Sequence, residues 1–243
     1  MTTDQVLFKA EKINKYFGPT HANADLDFML QRGEVRGIIG ENGSGKSTFI
    51  SIISGMQRKD SGTMHINGQP YNPKSPIDAI NSRIGTVVQE LGLVDGLTAG
   101  VNIFLGRTHL FSKKGVIDLH SLYNEAKGQM EKWNLANIPL NKPAGSLSVE
   151  ERKIIELVRA LSNDPDILIL DEITNALSHD NRAHLFNIIK TLKSQGKSVI
   201  VISHDLEEVI DITDSITIMR DGFVSGNVNS KEIELYDLKR LMV

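Results

Sequence analysis

Gly40-Glu41-Asn42-Gly43-Ser44-Gly45-Lys46-Ser47-Thr48 follows an apolar run, Val35 to Ile39, and opens a helical pattern from Phe49 to Gly55. No other stretch limits the possible folds so sharply. Glycine, four residues, then Gly-Lys-Ser is the spacing of a phosphate-binding loop. The glycines let backbone N–H groups face one point without Cβ obstruction, and the helix start adds the positive end of its dipole. Lys46 is then expected to reach β- and γ-phosphates, and the Ser47 hydroxyl to bind Mg²⁺. A plain turn between a strand and a helix explains the glycines but not the Lys-Ser pair.

A loop of this kind needs an α/β core, and the 243-residue chain is long enough for one large domain, or one domain with a lobe. Apolar content of 40% and charged content of 23% suit a sizeable core. The net charge of −3 supplies no basic field for nucleic acid. Without cysteine, disulfides and thiolate metal sites are excluded. No apolar run approaches a membrane span, and Met-Thr-Thr-Asp-Gln is not a signal peptide, so the chain reads as cytosolic.

Val6 to Leu30 reads as strands, with Ala24, Leu26, Phe28 and Leu30 alternating with Asp25, Asp27 and Met29. Asp60-Ser61-Gly62 reads as a turn, Thr63 to Ile66 as a strand and Asn67-Gly68 as a tight hairpin. Ile84 to Val88 is a further strand, ending at Gln89. From Thr98 to Leu161 the patterns turn helical, with Leu119, Leu122, Tyr123, Ala126, Met130 and Trp133 on one face. Ser148 and Glu151 have the spacing of a capping box. Strands return at Ile167–Leu170, Ser198–Ile202 and Ser215–Met219, with a helix from about Asp180 to Ser194, a turn at Asp221-Gly222 and a last helix near Lys231 to Leu241. The whole is an α/β nucleotide-binding core split by a helical insertion, with antiparallel strands near its start.

Ile167-Leu168-Ile169-Leu170 runs into Asp171 and Glu172. A buried parallel strand presents both carboxylates at its C-terminal edge, where open α/β sheets bind ligands. Asp171 is placed to hold Mg²⁺ through water, and Glu172 to orient the attacking water.

The order of the phosphate loop, Gln89, Leu147-Ser148-Val149-Glu150-Glu151, Ile167–Glu172 and His204 resembles the ATP-binding cassette (ABC) ATPases of transporters over essentially the whole chain. The resemblance implies an α/β fold, a P-loop NTPase with a RecA-like core, an antiparallel β subdomain and an inserted α-helical subdomain. One cassette domain then spans 1–243, with about 1–90 and 162–243 as the core and about 91–161 as the helical lobe. It implies ATP and Mg²⁺ as ligands, with Gly40, Glu41, Asn42, Gly43, Ser44, Gly45, Lys46, Ser47 and Thr48 cradling the nucleotide. It places Ser47, Gln89 and Asp171 on Mg²⁺, and Glu172, His204 and Gln89 about the water and γ-phosphate. Phe17 matches the aromatic that stacks on adenine, with Tyr16 the alternative. Taken alone, Gln89 reads as a strand-end polar residue, Phe17 as core and His204 as a surface histidine.

Departures from the family pattern cluster in one region. Leu147-Ser148-Val149-Glu150-Glu151 stands where Leu-Ser-Gly-Gly-Gln is usual, a helix start that clamps the γ-phosphate on the opposite subunit. Ser148 and the helix dipole remain, but two carboxylates stand where an anion should dock. Ile173-Thr174 replaces Pro-Thr, and the loop that crosses the dimer ends at Ser178 rather than aspartate. With Asn102-Ile103-Phe104-Leu105-Gly106-Arg107 and Gln89-Glu90-Leu91, these resemble the first cassette of fused two-cassette ATPases in bacterial ribose-, galactose- and xylose-type importers. Related systems import nucleosides or a furanosyl signal. The implied partners are a second cassette, a transmembrane permease and, indirectly, a periplasmic sugar-binding protein, with the chain peripheral at the cytoplasmic face of the membrane and no nucleic acid bound. The chain's last residues resemble the end of a first cassette. Competing readings are a DNA-repair cassette, disfavoured because Gln89 to Leu147 carries no sustained heptads, a translation cassette, disfavoured because such relatives carry two cassettes and a charged linker, and a catalytically degenerate regulatory cassette, favoured by Val149-Glu150-Glu151.

Lys46→Ala is expected to weaken nucleotide binding, measured by equilibrium titration with a fluorescent ATP analogue; unaltered affinity removes Lys46 from the site.

Overall fold

The computed structural model describes residues 5–89, 92–113, 115–135 and 138–242. Residues 1–4, Glu90, Leu91 and Val243, on which sequence expectations touched, lie outside that set, and so does the expected boundary at 90/91 between core and helical lobe. Strands β1 (Val6–Phe17) and β2 (Thr20–Gln31) pair antiparallel. In β2 the expected alternation holds: Ala24, Leu26, Phe28 and Leu30 are buried, while Asp25, Asp27 and Met29 are exposed. β3 (Val35–Ile39) then feeds the glycine loop and α1 (Lys46–Ile53), which begins three residues ahead of the apolar pattern. β4 (Ser61–Ile66) and β5 (Gln69–Pro70) flank Asn67-Gly68, both at positive φ (50° and 73°), as a two-residue hairpin demands.

One expected turn is instead strand. β4 begins at Ser61, and Gly62 sits inside it at φ 93°, where a Cβ would run into the carbonyl of Lys12 across a register shift in β1. The glycine there permits a close backbone approach rather than a chain reversal. Pro76 takes the first position of α2 (Pro76–Asn81), where its missing N–H costs nothing, and β6 (Ile84–Val87) follows.

The expected helical stretch contains α3 (Ala99–Ile103), a 3₁₀ turn at Thr108–Phe111, a short hairpin of β7 (Ser112–Lys113) and β8 (Val116–Ile117), α4 (Leu119–Lys132) and α5 (Val149–Leu161). Two-residue strands are too short to show a period, so the hairpin was not foreseen. Leu122, Ala126, Met130 and Trp133 are buried with Ile103, Ile155 and Val158 in a cluster that extends to Val87, Leu168 and Leu170 of the sheet. Leu119, at the start of α4, is 47% exposed and stands off the face predicted for it. The rest comprises β9 (Ile167–Asp171), α6 (His179–Ser194), β10 (Ser198–Ile202), α7 (Leu206–Ile212), β11 (Ser215–Arg220), β12 (Phe223–Asn229) and α8 (Leu235–Met242). β12, antiparallel to β11 across the Asp221-Gly222 turn, was not expected; its residues are only half-buried or exposed.

Among the described residues, two sheets dominate. The first has the order β2-β1-β4-β5 and is antiparallel; the second runs β12-β11-β3-β10-β9-β6. From β11 to β6 every pairing in the second sheet is parallel. β9 and β10 are buried throughout, which explains their unbroken apolar runs. Helices lie close on this sheet where glycine allows it. A Cβ at Gly85 of β6 would stand 2.8 Å from the Ala160 carbonyl oxygen of α5. Among the described residues no helix is long and apolar enough to cross a membrane.

Gly85→Ala therefore has to push α5 off β6. It should cost about 1–3 kcal/mol, a drop in melting temperature of roughly 2–10 °C for a chain this size. Gly96→Ala, where an added Cβ meets nothing within 4 Å, should melt with the parent. Equal thermal melts for all three proteins would contradict the close approach.

Candidate active site

The glycine loop is held between β2 and β11. A Cβ at Gly40 would collide with the Met219 carbonyl, and one at Gly45 with the Ala22 carbonyl; Gly45 also takes φ 95°. Buried Asn23 donates from Nδ2 to the Gly45 carbonyl at 3.0 Å, and the Gly222 N–H donates to the Ser44 carbonyl at 3.2 Å. Lys46 lies along the loop, its Nζ donating to the carbonyls of Gly40 (2.8 Å) and Glu41 (3.0 Å). Burial holds this ammonium below the ordinary lysine range, opposed by the charges of Glu172 and Asp171.

Parallel pairing brings the other groups to the same edge. Ile202 of β10 is in register with both Ile38 and Asp171, so β3, β10 and β9 end together. Glu172 follows β9 in the left-handed region (φ 52°), unusual for a residue with a Cβ, and its N–H donates to the Ile202 carbonyl at 2.9 Å. Its Oε1 stands 2.6 Å from His204 Nε2. A cleft of about 610 Å³ collects Asn42 to Thr48, Gln89, Glu172 and His204 with Thr20, His21 and Ala22 of β2 and Asp221 of the last hairpin. Asp171 is buried beneath it, and its Oδ1 has no hydrogen-bond partner. Burial, then the neighbouring Glu172 charge, push its carboxyl up to about 6, against the pull of Lys46, Lys153 and His204.

Gly40 and Glu41 are not among the residues lining this cleft, and their carbonyls receive Lys46. Phe17 ends β1 exposed, paired with cleft-lining Thr20, and Lys15 Nζ sits 5.3 Å from its ring centroid. Tyr16 stacks on His21 at 4.0 Å and 12°, so one of its faces is already covered. Both aromatic candidates thus stand beside the cleft without being among its lining residues.

Ser148 is elsewhere, exposed at the N-cap of α5. The expected capping box is complete: Ser148 Oγ accepts from the Glu151 N–H at 3.2 Å, and Glu151 Oε2 accepts from the Ser148 N–H at 2.8 Å. Glu150 turns the other way. Its Oε1 accepts from the Ser178 N–H (2.7 Å), Ser178 Oγ (2.6 Å) and Asn181 Nδ2 (2.7 Å) at the start of α6. Bonds from Asn181 and Ser178 hold this carboxyl below its ordinary range. Both carboxylates that displaced the usual glycine and glutamine are therefore engaged within the chain.

The residues fit a magnesium nucleotide. A loop that excludes Cβ atoms presents N–H groups at a helix start, a lysine lies along it, and a buried carboxylate oxygen without a partner faces hard-cation chemistry. Ser47, Asp171 and Gln89 would be the groups to hold such an ion. Sequence reasoning missed Thr20, His21, Ala22 and Asp221, which reach the cleft only through tertiary packing. It also missed Lys153, a lysine inside the buried stripe of α5.

A family model described as ABC transporter matches residues 24–175. The ribose import ATP-binding protein RbsA of Hahella chejuensis is 37% identical over 237 residues, covering 98% of this chain and 47% of that protein. A putative ribose/galactose/methyl galactoside import ATP-binding protein of Albidiferax ferrireducens is 40% identical over 222 residues, 91% of this chain and 44% of the relative. The chain thus spans about half the length of the curated relatives it matches. Among solved structures, MJ1267, an ATP-binding cassette of an ABC transporter, superposes with a TM-score of 0.82 at 25% identity, covering 98% of this chain and 99% of that one. The dimeric structure of MJ0796, a bacterial ABC transporter cassette, gives 0.80 at 26% identity, covering 93% and 100%.

Asp171 carries a pH signature. Its folded-state value of about 6 lies above the ordinary carboxylate value, so its contribution to stability is full below about pH 4 and is lost as pH rises through 6. Asp171→Asn should therefore melt several degrees above the parent at pH 7.5 without nucleotide, and with the parent at pH 4. Thermal melts across pH check this; a variant less stable at pH 7.5 contradicts it.

Proposed function

The chain belongs to the ABC transporter family of ATP-binding cassettes, and from that premise we propose that it binds and hydrolyses ATP to drive a membrane permease for a simple sugar. The observation that carries the hydrolytic part is the 2.6 Å contact of Glu172 with His204 across the cleft from Lys46 and Ser47. In this reading the loop N–H groups and Lys46 bind the phosphates, and Ser47, Asp171 and Gln89 hold Mg²⁺. When bound, the ion would neutralise charge on the phosphates. Glu172 orients the attacking water and takes up its proton, while His204 fixes the Glu172 carboxylate and contacts the γ-phosphate. Phe17 offers a flat face to the adenine.

In this reading, closing the cleft falls to a second cassette whose signature faces Lys46 and Ser47. Dimeric cassettes among the structural relatives support this arrangement. Residues 1–243 form one cassette, with about 91–161 as its helical lobe. The half-length match to its relatives suits one of two fused cassettes, and the first-cassette assignment rests on the resemblance of Asn102–Arg107 and of the signature. The permease docks between Gln89 and Arg107, where an apolar cavity of about 290 Å³ is lined by Ile80, Val88, Leu105 and Arg107. The chain then works peripherally at the cytoplasmic face of the membrane, with a sugar-binding protein outside supplying the solute. Relatives named for ribose and galactose import support that substrate class. The loss of both usual glycines at Val149-Glu150 favours an asymmetric dimer, in which this chain's loop binds ATP soundly while its own signature serves the opposite site poorly.

Glu172→Gln should keep ATP affinity and lose about 10²-fold or more of turnover in the permease complex. Nucleotide titration and phosphate release by that complex check it; unchanged turnover removes Glu172 from the mechanism.

A further inference from the structure

α5 carries two ionisable groups into the core where apolar residues would be expected. Lys153 is 3% exposed and Glu156 fully buried, and they pair at 2.9 Å between Nζ and Oε2. A buried ion pair is seldom the stabilising choice over well-packed apolar side chains, so a specific task is indicated. The remaining bonds of the pair identify that task. Lys153 Nζ donates to the carbonyls of Val88 (2.5 Å) and Gln89 (3.0 Å), just beyond the last ladder pair of β6, Val87 with Leu170. Glu156 Oε1 accepts from the Gly92 N–H. Farther along the helix, Arg159 Nη1 donates to the Gly92 carbonyl at 2.7 Å. The backbone is thus gripped on both sides of Gln89, whose residue lines the phosphate cleft. The charge of Lys153 also draws the buried Asp171 carboxyl toward its ionised form.

We propose that the Lys153–Glu156 pair is a positioning device for Gln89, setting where its side chain meets the Mg²⁺–nucleotide site. The inference rests on the role given to Gln89 above. α5 begins at Ser148, so the same helix that presents the signature to a partner holds the cleft glutamine of its own chain. Lys153 does not touch the reacting atoms; it acts through the backbone of 88–89.

The test uses the purified 243-residue chain. In Lys153→Met, hydrogen exchange of the amide-containing peptide around Gly92 should quicken without nucleotide present. The gain in ATP-analogue affinity on adding Mg²⁺ should fall about tenfold, with the magnesium-free affinity unchanged. Lys153→Arg, which keeps the charge, should recover most of that gain. Gln89→Ala should show the same loss as Lys153→Met, and the double variant no further loss, as two steps of one path require. Unchanged exchange and magnesium gain in Lys153→Met, or losses that add in the double variant, would overturn the proposal. Should Lys153→Met fail to fold, Lys153→Gln, neutral but able to donate one bond, should give a smaller loss of the same kind, and no loss again overturns the proposal. Should Gln89→Ala alone leave the magnesium gain intact, the reading of Gln89 falls, while exchange at Gly92 still decides whether the pair holds the segment.

Discussion

Three parallel strands ending at one level are the constraint on which this site depends. Ile202 pairs with Ile38 on one side and with Asp171 on the other. The residues that follow each strand (the glycine loop, Glu172, His204) thereby emerge along a single edge although they are distant in sequence. A slip of one residue in β9 would turn Asp171 to the opposite face of the sheet and dismantle the arrangement. The apolar content of β9 and β10 buries both strands on both faces, and the backbone ladders to β3 and β6 carry the register that aligns the chemistry.

Around that edge, neighbouring elements work by close backbone approach. Ala22 of β2 and Met219 of β11 leave no room for side chains at Gly45 and Gly40, so the loop's curvature is imposed from two sheets at once. Glu172 keeps a left-handed backbone, a cost that strand ends at functional sites commonly carry, and with it reaches His204. The burial of Asp171 belongs to the same design. A carboxylate short of hydrogen bonds and lifted to about 6 is unfavourable by itself, and a hard cation nearby would reverse that balance.

Elements with a strong local signal were legible in the sequence. The alternation in β2, the buried runs of β9 and β10, the loop's spacing and the Ser148–Glu151 capping box all follow from short-range chemistry. Glu172 at a strand's C-terminal edge was legible in the same way, whereas Gln89 and His204 were expected beside the loop only through the family resemblance, and the cleft brings all three to it. What escaped lacks a local code. β12 and the β7–β8 hairpin are too exposed or too short to carry a period, and Gly62 signals a close approach in the same letters that signal a turn. His21 and Asp221 line the cleft only because β2 and the last hairpin are pressed against the loop. Lys153 escaped notice because sequence alone does not show that two strand-end carbonyls wait for it.

The bond between Glu150 and Ser178 joins two of the departures in one contact. A glycine at 150 would leave the first turn of α6 without its acceptor, and an aspartate at 178 would set one carboxylate against another. Neither position can return to the usual family residue alone without a penalty; the two are bound as an epistatic unit.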